Sequence, residues 1–173
     1  MKLHSGTHTV EKSGNFEENQ FSIEASAKAF MILSDGLYSN KILAVVRELS
    51  TNAYDSHVDA GVADRPFEVH LPTRLEPYFH VRDYGTSMTH DQCMTLYTTY
   101  FRSTRNDSND AVGCLGLGSK APFAYADSFT VEAFKDGEKR VYAAHRDNNG
   151  SPTFCLMDTV PTDEENGIKV SLP

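Results

Sequence analysis

Arg47-Glu48-Leu49-Ser50-Thr51-Asn52-Ala53-Tyr54-Asp55 is the stretch on which the reading of this chain turns. It lies in a run from about Asn40 to Ala60 that predicts the strongest helix, with Gly61 beyond it as a stop. At about 100° per residue, Ile42, Val45, Val46, Leu49 and Ala53 share one sector, the expected core face. With Glu48 at zero, Asn52 falls at about +40° and Asp55 at about −20°. A carboxylate, an amide and a second carboxylate thus border the apolar sector on successive turns. The stripe is either the solvated edge of an amphipathic helix or one wall of a half-buried cavity. As a cavity wall, Asn52 offers a hard cation an amide oxygen that adds no charge. Glu48, one turn earlier, is placed to orient or deprotonate a water.

Working outward, residues 1–19 are polar, lack periodicity and read as a flexible N-terminal arm, leaving 20–173 as a single domain. A short extended segment is expected at Gln20 to Glu24, and Ser26 is a candidate cap for a helix carrying Phe30, Leu33 and Leu37. Beyond the long helix, Phe67 to Leu71 and Tyr78 to Asp83 alternate like paired strands. Thr89 with Gln92 forms a capping-box pattern ahead of Cys93, Leu96, Tyr97 and Tyr100. The last third reads as a meander: Ser128 to Phe134 and Lys139 to His145 around the hairpin signal Asp136-Gly137, then Thr153 to Met157 and Ile168 to Leu172. Helices early and antiparallel strands late favour an α/β two-layer sandwich.

Composition narrows the function classes. The 173 residues suit one packed domain, with ten Phe and eight Tyr supplying bulk in the absence of Trp. A net charge of −8 argues against nucleic-acid binding, which needs clustered Lys and Arg. Cys93, Cys114 and Cys155 have no metal-ligand spacing and read as small apolar side chains in a reducing compartment. No apolar run approaches the ~18 residues of a membrane-spanning helix, so the chain is expected to be soluble and intracellular.

Two further motifs carry chemistry. In Tyr78-Phe79-His80-Val81-Arg82-Asp83-Tyr84-Gly85, Phe79, Val81 and Asp83 share a strand face, and the two apolar members point that face at the core. Asp83 is therefore expected half-buried and in need of donors, supplied either by a structural turn or by a ligand amine. Gly113-Cys114-Leu115-Gly116-Leu117-Gly118-Ser119-Lys120 brings backbone N–H groups within reach of phosphates. It is not a P-loop, because Ser119 precedes Lys120 and no hydrophobic strand leads into it. A plain surface loop is the alternative. The helix-compatible Ser119 to Tyr125 would instead aim a helix N-terminus at an anion.

The order Glu48-x-x-x-Asn52-x-x-Asp55, Asp83-x-Gly85, Gly113-x-x-Gly116-x-Gly118 resembles the three boxes of the GHKL ATPases, the group of gyrase, heat-shock chaperones, histidine kinases and MutL. The resemblance covers residues 40–172. It implies the Bergerat fold, a mixed, mostly antiparallel sheet with helices on one face and a glycine-rich lid, binding ATP and Mg²⁺. By position, Glu48 matches the general base, Asn52 the Mg²⁺ ligand and Asp55 the acid that supports the pocket. Asp83 matches the carboxylate on the adenine amine, with Gly85 and Met88 in the same turn. Gly113, Gly116, Leu117, Gly118 and Ser119 match the lid around the phosphates. Lys120 lies close enough in sequence to reach a phosphate.

The combination of Lys41-Ile42, Val45-Val46-Arg47-Glu48-Leu49 and Thr51-Asn52 with Val81-Arg82-Asp83-Tyr84-Gly85 and Gly116-Leu117-Gly118-Ser119-Lys120-Ala121-Pro122-Phe123 further resembles the N-terminal domain of phage rIIA-type proteins, from about residue 20 to the end. That branch implies a nucleotide switch in lysis control or evasion of host exclusion. Its setting would be the host cytoplasm, peripheral to the inner membrane, with a second copy of the chain or a host defence or membrane-associated protein as partner. An alternative is a non-catalytic module that interferes with such a host protein. Three departures from the GHKL pattern stand out. Ser87 replaces a usual glycine, Ile168 replaces a frequent adenine-side Thr, and no transducer domain follows. Hydrolysis is accordingly expected to be weak. A histidine kinase would need a helical segment with an acceptor His, and a topoisomerase or mismatch-repair protein would need further domains.

Overall fold

The computed structural model describes residues 26–36, 38–100 and 117–173. The expected arm, the segment at 20–24, Leu37, Cys114 and the glycines Gly113 and Gly116 lie outside them.

Each helix starts where its local chemistry says it should. Ser26 caps α1 (Ala27–Asp35) by accepting from the Ala29 N–H, and Asn40 caps α2 (Lys41–Asp59) by accepting from the Leu43 N–H. Gly61, just past α2, has φ +72°, a left-handed turn that glycine takes without a Cβ penalty. Thr89 and Gln92 close the full capping box of α3 (His90–Thr98). The segment expected to be helical after the glycine loop is instead a 3-10 helix, Gly118–Ala124, with Pro122 inside it. Proline has no N–H to give an α-helical ladder, and seven residues of 3-10 geometry sum to little macrodipole.

Six strands form one open sheet in the order β1-β2-β6-β3-β4-β5, comprising Glu68–His70, Phe79–Arg82, Ser128–Lys135, Glu138–Arg146, Pro152–Pro161 and Gly167–Leu172 in chain order. The resemblance implied a mixed sheet, but every pairing among the described residues is antiparallel. Asp136 and Gly137, at φ +53° and +83°, make the β3–β4 hairpin turn that their dipeptide signals.

One face of the sheet carries Val81, Phe129, Val131, Ala133, Tyr142, Ala144, Phe154, Ile168, Val170 and Leu172, buried with Val45, Leu49, Ala53, Cys93 and Phe123 from the helices. Tyr97 of α3 stacks on Phe154 at 4.8 Å and bridges the layers, and within the sheet Tyr142 stacks on Phe154 at 5.0 Å. The result is a helix layer on one sheet face. The other face is covered by long charged side chains: Arg82 lies 4.0 Å from the Phe134 ring, and Glu132 pairs with Lys139 at 3.0 Å and Lys169 at 3.2 Å. None of the described helices is long and apolar enough to cross a membrane.

The core face of α2 differs from the sequence expectation. Val45, Leu49 and Ala53 are buried as expected, but Ile42 is 63% and Val46 37% exposed, while Ala44 and His57 are buried. The helix packs on the 3-10 helix as well as on the sheet, and Ala44 sits at about −40°, on the side of the Glu48 stripe. A single amphipathic sector cannot anticipate a second packing partner.

Candidate functional site

Asp83 follows β2 directly and is 5% exposed. Its Oδ1 accepts from the Ser56 hydroxyl at 3.0 Å and the Gly85 N–H at 3.0 Å, and its Oδ2 accepts from the Ile168 N–H at 3.2 Å. Burial pushes its carboxyl pKa up, and these donors, with the charge of Arg82, oppose that rise. The Arg82 guanidinium itself bonds the carbonyl of Asp83 and, at 2.6 Å, that of Glu165.

The turn after Asp83 is held from three sides. Gly85 lies so close to α2 that a Cβ there would overlap the Ser56 hydroxyl and come within 2.6 Å of its carbonyl carbon. His57, fully buried, donates from Nδ1 to the Arg65 carbonyl at 2.9 Å and accepts at Nε2 from the Tyr84 N–H at 2.8 Å. Those two backbone partners fix a neutral imidazole in a single tautomer. Ser87 occupies the left-handed region at φ +57°, the conformation that a glycine there adopts freely, and its hydroxyl donates to the Gly167 carbonyl at 3.0 Å. Met88 is half-buried against the core.

The second end of the site lies one and two turns back along α2. A Cβ on Gly118 would lie 2.6 Å from Glu48 Oε2 and 3.7 Å from Asn52 Nδ2, so the described end of the glycine loop rests on these two side chains. Glu48 is held by Arg47 at 2.7 Å, Asn52 is exposed, and Asp55 is half-buried on the same side. Leu117 precedes the 3-10 helix without a side-chain cap, and the buried Ser119 hydroxyl has no hydrogen-bond partner among the described residues.

Lys120 is 4% exposed, and its ammonium donates to the carbonyls of Leu96 and, at 2.6 Å, Thr99 at the C-terminus of α3. Reaching a phosphate would require breaking both bonds. Burial lowers its pKa to about 8.

The fold thus brings Glu48, Asn52 and Gly118 together at one end, and Asp83, Gly85 and Met88 at the other, along a single helix. Ser56, His57 and Gly167 were not singled out from the sequence. The signal for Ser56 was its position at about +80°, inside the apolar sector of α2, where a hydroxyl must find an acceptor. Ile168 serves Asp83 through its backbone N–H while its side chain is buried in the core. No cluster of three or more His, Cys, Asp or Glu able to hold a metal occurs among the described residues. One amide oxygen such as that of Asn52 nevertheless suits Mg²⁺, which keeps several waters and takes the rest of its shell from phosphates.

No family model matches this chain. Among curated proteins, it is 24% identical over 179 residues to the chaperone protein HtpG of Mycolicibacterium vanbaalenii, covering 88% of this chain and 27% of that protein. It is 26% identical over 178 residues to the chaperone protein HtpG of Rhodococcus jostii, covering 86% of this chain and 27% of that protein. The chain therefore spans about a quarter of the length of these relatives. The similarity is weak and local.

Proposed function

We propose that this chain binds ATP with Mg²⁺ between α2 and the glycine loop and hydrolyses it slowly, as a nucleotide-dependent switch. The observation that carries the reading is the convergence on α2 of a buried carboxylate at one end and the Glu48–Asn52–Gly118 cradle at the other. Asp83 Oδ2 accepts the exocyclic amine of adenine beside Gly85 and Met88. Asn52 supplies an oxygen to Mg²⁺, with Asp55 supporting that wall. Gly113, Gly116, Leu117, Gly118 and Ser119 give the phosphates their donors, the orphaned Ser119 hydroxyl among them. When bound, Mg²⁺ neutralises phosphate charge, and Glu48 orients or deprotonates the attacking water. Chaperones are one branch of the group that the three boxes resemble, and the HtpG matches support this reading to that extent.

Residues 20–173 form the nucleotide domain in this reading, and 1–19 an arm that takes part in self-association. The phage rIIA-type setting, in lysis control or evasion of host defence, rests on the sequence resemblance, above all on Gly118-Ser119-Lys120-Ala121-Pro122-Phe123. A second reading, an interaction module for a host defence or membrane-associated protein, draws on the exposed Met31, Ile32, Ile42 and Leu43. Titration of the folded chain with a fluorescent ATP analogue and Mg²⁺ tests the first reading, and absence of saturable binding sinks it. Glu48→Ala should bind normally and lose turnover, so undiminished turnover removes Glu48 from its role. Partner capture that is indifferent to Asp83→Asn favours the second reading.

A further inference from the structure

A carboxylate offers about four lone-pair positions, and three on Asp83 are taken. Two lie on Oδ1, facing Ser56 and Gly85, and one on Oδ2, facing Ile168. The Gly85 and Ile168 donors are backbone N–H groups, supplied by turn and strand whatever the side chains. Ser56 is the one side-chain donor to this carboxylate among the described residues, because Arg82 spends its guanidinium on the two carbonyls. Ser56 is itself confined, since the bare Gly85 backbone packs on it with no room for a methyl. The hydroxyl and the carboxylate are therefore held in register by packing. The remaining acceptor position is on Oδ2.

We propose that Ser56 is a positioning residue that keeps Asp83 ionised and leaves its open lone pair on Oδ2, so that the site selects a base donating an N–H there, a 6-amino purine over a 6-oxo purine. The ligand half of this inference rests on the nucleotide reading above, whereas the Ser56–Asp83 contact does not. Desolvation is the largest influence on this carboxyl and favours the protonated form, so each donor to the ionised form counts against it. Without the Ser56 hydroxyl, protonation moves to higher pH. A protonated Oδ2 carries an O–H, which would donate to the oxo group that the carboxylate repels. The other titratable groups around Asp83 are Arg82 on its own strand, Tyr84 in its turn, His57 of α2 on the next peptide, and Tyr97 of α3. On β6, Lys169 pairs with Arg82 on the opposite sheet face.

The test is a ¹³C-carboxyl NMR titration of Asp83 in the full chain without nucleotide, for wild type, Ser56→Ala and Ser56→Cys, paired with ATP and GTP binding between pH 5 and 8. Asp83 should titrate at higher pH in Ser56→Ala, with Ser56→Cys between it and wild type. The ATP-over-GTP preference should fall about tenfold in Ser56→Ala, the scale of one hydrogen bond to a charged group. An unchanged Asp83 titration in folded Ser56→Ala overturns the positioning role, and should that variant fail to fold, an unchanged titration in Ser56→Cys does so. Wild type binding GTP as tightly as ATP overturns the selectivity. Failure of wild type to bind either nucleotide, with the Asp83 titration still shifted by Ser56→Ala, overturns the nucleotide reading and upholds the Ser56–Asp83 coupling.

Discussion

The two ends of the site are built on different principles, although one helix carries both. Around Asp83, three of about four acceptor positions are already filled by protein donors. Ser56, Gly85 and Ile168 hold the carboxylate, His57 holds the next peptide, and Ser87 ties the turn to Gly167. Around Glu48, the contacts are fewer: Asn52 is exposed, Glu48 leans on a neighbouring arginine, and the buried Ser119 hydroxyl has no partner among the described residues. A group buried at 5% exposure must be satisfied within the protein, whereas one facing water can stay free until something binds. The first end can therefore be pre-organised for a rigid base, and the second can accommodate phosphates and a hydrated cation.

The contrast is broken most completely at the closed end. Asp83→Asn should weaken ATP binding by more than about 100-fold, because the amide sets a donor against N–H groups and forfeits a charged acceptor. Isothermal titration checks it, and near-normal affinity removes Asp83 from recognition. Gly85→Ala should cost at least ~3 kcal/mol in denaturant unfolding, since its methyl overlaps both the hydroxyl and the backbone of Ser56. A loss under ~1 kcal/mol would show that the turn yields, contrary to a pre-organised closed end.

At the open end the expected effects are smaller and separable from folding. Asn52→Ala should leave unfolding within ~0.5 kcal/mol of wild type, as expected for an exposed position. It should also weaken Mg²⁺-dependent binding by about tenfold. A matching loss without Mg²⁺ argues against a metal-ligand role. Lys120, whose ammonium is tied to the end of α3, gives the smallest signal, a pH slope. With a folded pKa near 8 against the ordinary 10.5, the folded state has lost a proton that the unfolded state keeps between those values. Stability contributed by this group therefore rises with pH across that window. The slope between pH 8 and 10.5 should be less positive in Lys120→Met, and identical slopes contradict the burial of its ammonium. Cys93, raised by burial to about 11, pulls the other way between pH 9 and 11, so the two chains must be compared at each pH.

Much of the fold was legible because its signals are local. Ser26, Asn40 and Thr89 cap helices, and Asp136-Gly137 turns a hairpin, through atoms within about four residues of each other. Glu48, Asn52 and Asp55 align because the helical period is fixed. The displaced core face of α2, the 3-10 geometry at Pro122 and the diversion of Lys120 to α3 were not legible, since each depends on a neighbour distant in sequence.

The sequence by itself thus determined which side chains share α2, which strand ends in Asp83, and where the caps and turns fall, all consequences of backbone period and short-range hydrogen bonding. Tertiary structure alone decided that Gly118 rests on Glu48 and Asn52, that Ser56 holds Asp83, and that Ile168 contributes a backbone N–H rather than a side chain. Those contacts join residues 27 to 85 positions apart, and only the packing of helices on the sheet closes such distances.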